Sequence, residues 1–152
     1  MNDRDLVITR LIDAPRERVY RAWTEKEQLA QWWAPRPNTT PIVEMDVRPG
    51  GSFHTVMISP EGEEYRTYGV YLELIPNEKL VFTDAYVDAW TPSEEPFITV
   101  IVTFEDEDED GKTRYTARAQ HWSIEAKQRH AEMGFFDGWG TVTEQLAQLV
   151  TQ

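Results

Sequence analysis

Phe135, Trp139, Val142, Leu146 and Leu149 recur at spacings of four, three, four and three, which lays one apolar stripe along an α-helix. Ahead of that stripe, between Val43 and His121, apolar residues recur mainly at every second position, the period of strands. A chain that alternates for so long and then turns helical has few ways to bury both surfaces. One face of an antiparallel sheet must meet the stripe of the closing helix, so the pattern predicts an α+β domain with the core between them.

The strand region divides at its turn residues. Val43, Met45 and Val47 alternate with acidic and basic positions, and Pro49-Gly50-Gly51 turns the chain into Phe53, Thr55 and Met57. Ser59-Pro60-Glu61-Gly62 makes the next turn. Tyr65 to Ile75 then reads as a long strand with Tyr68, Val70, Leu72 and Leu74 on one face, and Pro76-Asn77 leads into Leu80, Phe82, Asp84 and Tyr86. Residues 87–96 read as irregular and polar around Trp90. Phe97 to Phe104 and Thr113 to Trp122 are the remaining strands, and the acidic run Glu105 to Asp110 reads as the solvated tip between them, since it lacks the alternating ligand and glycine pattern of a calcium loop. Ser123 is placed to cap one long final helix.

Before residue 42 the pattern is strand and then two short helices. Leu6 to Ile12 is apolar and β-rich, and Asp13 and Pro15 suit a helix start that carries Val19, Ala22 and Trp23. Thr24 with Glu27 has the capping-box spacing, so a second helix would run through Leu29 to Trp32-Trp33. At 152 residues the chain is read as a single domain over 1–152.

Composition narrows the partners. A formal charge of -12 repels phosphate backbones and anionic lipid, so neither nucleic acid nor a membrane is expected. With no cysteine, thiolate metal sites and Cys nucleophiles are excluded, and with no signal-peptide layout at the first residues the expected location is the cytoplasm. His54, His121 and His130 fall in different elements without a His-Glu-x-x-His pair, and no Gly-x-Ser-x-Gly elbow or phosphate-cradling loop occurs. No metal and no cofactor is therefore expected.

The run Arg10-Leu11-Ile12-Asp13-Ala14-Pro15 with Val19 and Trp23, then Trp32-Trp33-Ala34-Pro35, Pro49-Gly50-Gly51, Leu80-Val81-Phe82 and Gly138-Trp139, resembles the START-like (SRPBCC) superfamily. Within it the chain looks like the bacterial stand-alone branch related to the activator of heat-shock protein 90 ATPase. The resemblance spans nearly the whole chain. It implies the helix-grip, birch-pollen-allergen-like fold: a curved antiparallel sheet of about six or seven strands around a long C-terminal helix. It also implies a hydrophobic cavity between sheet and helix, used across the superfamily for lipids, hormones and polyketides, with a few members turned into cyclases, dehydratases or hydrolases. In the eukaryotic chaperone activator a separate N-terminal domain makes much of the chaperone contact. This chain begins at the first strand, so chaperone contact is the weaker expectation.

A pocket of that kind needs apolar walls and a few inward polar groups. Strand alternation offers Met45, Phe53, Met57, Tyr68, Phe82, Tyr86 and Tyr115 as walls, with Trp33 and Trp90 near a mouth and Phe135, Phe136 and Trp139 from the helix. Tyr68, Tyr86 or Tyr115 could orient a ligand through their hydroxyls. Asp84 shares a face with Leu80 and Phe82, and His121 shares one with Tyr115, Ala117 and Ala119, so both can point inward; the alternative, that both sit in water at strand ends, stays open. The leading expectation is a binding protein for a small apolar molecule. The alternatives are a cofactor-free cyclase or dehydratase using Asp84 and His121, and an interaction domain. A homodimer through sheet edges or the aromatics around Trp32 and Trp90 is a further option.

Overall fold

The protein is described by a computed structural model over residues 3–88, 91–94, 96–107 and 111–151, with Ile42 by its backbone alone. Strand β1 (Asp5–Ile12) leads into helices α1 (Arg16–Thr24) and α2 (Lys26–Trp32), followed by β2 (Thr39–Met45), β3 (Ser52–Ile58), β4 (Glu64–Ile75) and β5 (Lys79–Thr83). A short ribbon of β6 (Tyr86–Asp88) and β7 (Thr91–Pro92) precedes β8 (Thr99–Glu107) and β9 (Lys112–Gln120). Helices α3 (Ile124–Glu132) and α4 (Phe135–Val150) close the chain. The main sheet has seven antiparallel strands in the order β1-β9-β8-β5-β4-β3-β2, so the first strand joins the last. The expected α+β architecture, with its sheet, two early helices and closing C-terminal helix, is the one observed.

Residues paired across a ladder point to the same side, and the register therefore defines the inner face. Tyr71 pairs with Phe82, Leu80 with Val102, Val100 with Ala119, and Phe104 with Tyr115, and all eight side chains are buried. Against them α1, α2 and α4 set Val19, Trp23, Leu29, Trp32, Leu146 and Val150 in the same core. Trp32 is only 1% exposed, so it belongs to that core and offers nothing to a dimer.

Several local expectations are corrected. In β4 the ladder slips between Tyr71 and Glu73, and this bulge moves the inward parity onto Tyr71 and Leu74, while Tyr68 and Leu72 stay exposed. Asp13 caps nothing, because Pro15 takes the N-cap position of α1 and its carbonyl receives the N–H groups of Arg18 and Val19. Thr24 does not open α2 either: its hydroxyl donates to the Tyr20 carbonyl and closes α1, and Glu25 stands at the next N-cap. The single closing helix is two. Ser123 caps α3 as expected, accepting from the Ala126 N–H, but Gly134 at φ 98 stops it, a left-handed conformation that only glycine adopts without strain. The acidic run continues β8 through Glu107 before passing outside the described residues.

The C-terminal half of α4 is fastened by polar groups as well as by packing. The buried Gln145 amide donates to the carbonyls of Trp32 (3.0 Å) and Ala34 (2.9 Å) and accepts from the Arg36 N–H (2.9 Å), which satisfies the backbone where α2 ends. Beside it the Trp23 indole N–H donates to the Tyr115 hydroxyl at 3.2 Å, and the Trp32 indole N–H donates to the Ala22 carbonyl. Trp23 meets both Trp32 and Trp33 edge to face, with centroids 4.9 Å and 5.3 Å apart.

Candidate functional site: two pockets about a tryptophan pair

Where the first turns of α4 cross the sheet, packing loosens. Trp33, at the C-terminal cap of α2, and Trp139, on the second turn of α4, meet edge to face with centroids 6.0 Å apart. Each wall of this pair faces a pocket. The outer pocket, about 190 Å³, is lined by both tryptophans with Pro35, Met57, Gly138 and Val142. The inner pocket, about 170 Å³, is lined by the same two tryptophans with Phe53, Phe82, Phe97, Ile98 and Tyr68, and by Thr67, Gly69, Thr83 and Asp84. Gly69 is required there, since a Cβ would lie 2.5 Å from the Thr83 carbonyl oxygen.

The polar groups of this region are ordered. The Trp33 indole N–H donates to Thr55 Oγ1 at 3.2 Å, and the Thr55 and Thr67 hydroxyls are hydrogen-bonded to each other. An indole N–H only donates, so Thr55 Oγ1 accepts from Trp33, and either threonine hydroxyl can donate to the other. Asp84 Oδ1 accepts the backbone N–H groups of Phe97 (2.8 Å) and Ile98 (3.0 Å), pinning the segment before β8. Burial raises the Asp84 pKa above its ordinary value, and the backbone N–H groups oppose that rise.

The residues expected at a site separate into two groups. Trp33, Phe53, Tyr68, Phe82, Asp84 and Trp139 come together at the inner pocket, and Met57 lines the outer one. The others lie elsewhere. Tyr115 is fully buried in the aromatic core with its hydroxyl engaged by Trp23, so it orients nothing in a pocket. Met45, at the end of β2, packs against the same core. Tyr86 is 37% exposed on the β6–β7 ribbon, Phe136 is 53% exposed, and Phe135 is buried with Leu6 and Ala119 in a second small cluster. Trp90 lies outside the described residues. Thr55, Thr67, Phe97 and Ile98 were not anticipated; Thr55 stands on the inward parity of Phe53, which could have marked it.

His121 also has a different partner from the one expected. It is 3% exposed, its Nδ1 lies 2.8 Å from the Arg4 carbonyl oxygen, and its Nε2 lies 2.8 Å from His130 Nδ1 on α3. A carbonyl can only accept, so His121 carries a hydrogen on Nδ1, and a single shared hydrogen joins its Nε2 to His130 Nδ1. Both ring nitrogens are thus occupied and Asp84 is not their partner, which removes the acid–base pair drawn from the sequence. Phe97 stands at this junction: its backbone N–H binds Asp84, and its ring lies 4.6 Å from that of His130. Burial and neighbouring His121 push the His130 pKa down to about 4. Neither Asp84 nor His121 sits in open water. Among the described residues, no group of three or more His, Cys, Asp and Glu side chains is arranged to hold a metal, and no helix is long and apolar enough to cross a membrane.

Comparison with known proteins gives the family. Residues 13–151 match the family described as Activator of Hsp90 ATPase homolog 1-like protein. No curated protein matches the chain. Among solved structures, protein NE0264 from Nitrosomonas europaea superposes with a TM-score of 0.93 at 36% identity, covering 100% of this chain and 97% of its own. Protein Ms6760 from Mycobacterium smegmatis gives a TM-score of 0.82 at 29% identity over 97% and 91%. The protein titled AHSA1 from Silicibacter pomeroyi, at 22% identity and a TM-score of 0.71 over 97% of both chains, shares the fold. The chain therefore belongs to the Activator of Hsp90 ATPase homolog 1-like family, on the START-like fold that its motifs resemble.

Proposed function

We propose that this chain is a binding protein for a small apolar molecule, held in the pockets on either side of Trp33 and Trp139. The observation that carries the reading is the placement of those pockets: apolar residues from the sheet, from the end of α2 and from α4 converge there without filling the space, although the core beside them is densely packed. A space of about 150 Å³ is large enough to take up benzene, so each pocket has room for one ring. Each is below the usual range of about 300–1,000 Å³ for drug-sized ligands, so a longer ligand would bridge the two by turning the Trp139 ring.

The cyclase or dehydratase alternative loses its catalytic pair, because His121 is committed to Arg4 and His130. The test is titration of the full chain with toluene, indole and naphthalene, read by tryptophan fluorescence and by melting temperature. Binding at the pair should alter emission and raise the melting point with ligand concentration. A melting curve unmoved by all three compounds would overturn the reading.

A further inference from the structure

We propose that the inner pocket selects an organic ammonium ion, a small amine whose charged nitrogen lies against Asp84 and whose hydrocarbon body lies among the surrounding rings. This rests on the pocket being a ligand site and adds the charge of the ligand. Among the described residues lining the two pockets, Asp84 is the one charged side chain, and no Lys, Arg or His shares the lining. Its carboxylate is half-buried, its Oδ1 accepts backbone N–H groups, and among the described residues no neighbouring charge contributes to its raised pKa. A partly desolvated carboxylate without a counter-charge is costly, and a bound cation would relieve that cost.

The walls favour the same sign. Trp33, Phe53, Phe82, Phe97 and Trp139 line one small space, and the negative face of an aromatic ring attracts an ammonium group, more strongly where water is displaced. An apolar carboxylic acid entering the pocket would instead meet Asp84 with no cation to pair it. The formal charge of -12 draws cations toward the molecule as a whole. Together these features oppose a fatty or aromatic acid and favour an amine.

Three probes of one size separate the possibilities: benzylamine, protonated at pH 7, neutral toluene, and benzoate. Calorimetric titration of the full chain should show benzylammonium binding at least about ten-fold tighter than toluene, with benzoate weakest. Asp84→Asn keeps the Oδ1 acceptor for Phe97 and Ile98 while removing the charge, so it should bring benzylammonium down to about the affinity of toluene. Toluene binding as tightly as benzylammonium, or benzoate binding more tightly, overturns the ammonium inference while the apolar pocket stands. Failure of all three probes overturns the pocket itself. The wild-type comparison decides the matter even if Asp84→Asn does not fold.

Discussion

Along its C-terminal half α4 buries Val142, Thr143, Gln145, Leu146, Ala147 and Val150, whereas between Phe135 and Thr141 Phe135 alone is buried. The two halves belong to one continuous helix, yet they meet different surroundings. The later half faces α1 and α2, where indoles interlock and Gln145 satisfies the end of α2. The earlier half follows the Gly134 break and has pockets beside Gly138 and Trp139. A helix fixed by one end can leave its other end incompletely packed without losing its place, and the unfilled space is what a ligand would use.

The sharpest way to break this comparison is to cut one indole from each half. Trp23→Ala removes a fully buried ring from the packed end and should cost about 3–5 kcal/mol in urea denaturation. Trp139→Ala, at a half-buried ring beside existing space, should cost less than half as much and merge the two pockets, which would improve naphthalene binding relative to toluene. Equal losses from the two variants would mean the halves are packed alike. Next in size, Gln145→Ala strands the Trp32 and Ala34 carbonyls and the Arg36 N–H, and should cost about 2 kcal/mol by the same measurement.

The smallest effect lies at the loose end and is read as a pH profile. The folded-state pKa of His130 is depressed to about 4 from 6.5, so between those values the unfolded chain binds more protons. The contribution of His130 to stability is therefore complete above pH 6.5 and is lost as the pH falls toward 4. His130→Gln should flatten that part of the melting-temperature profile; a variant whose profile parallels the wild type would place the acid sensitivity elsewhere.

The fold was legible because alternation and the helical stripe follow from where Cβ atoms point, and that geometry holds over long runs of sequence. Phe53, Phe82 and Trp139 were found by the same rule. What failed was decided by single residues or distant ones. One slipped position in β4 gave the inward place to Tyr71 and took it from Leu72, and one left-handed glycine divided the closing helix. Parity did turn His121 inward, but its partner arrives from the next helix, and Asp84 spends one oxygen on a loop thirteen residues away that has no periodicity to read.

The pairing of β1 with β9 also sets a timetable for the newborn chain. Asp5 must find Gln120, and at a synthesis rate of about 5–20 residues per second the first strand waits roughly 5–20 s for its neighbour to be made. Through that interval Leu6 and Ile12 have neither the last strand nor the closing helix to cover them, so the N-terminal strand is among the last parts of the sheet to be buried.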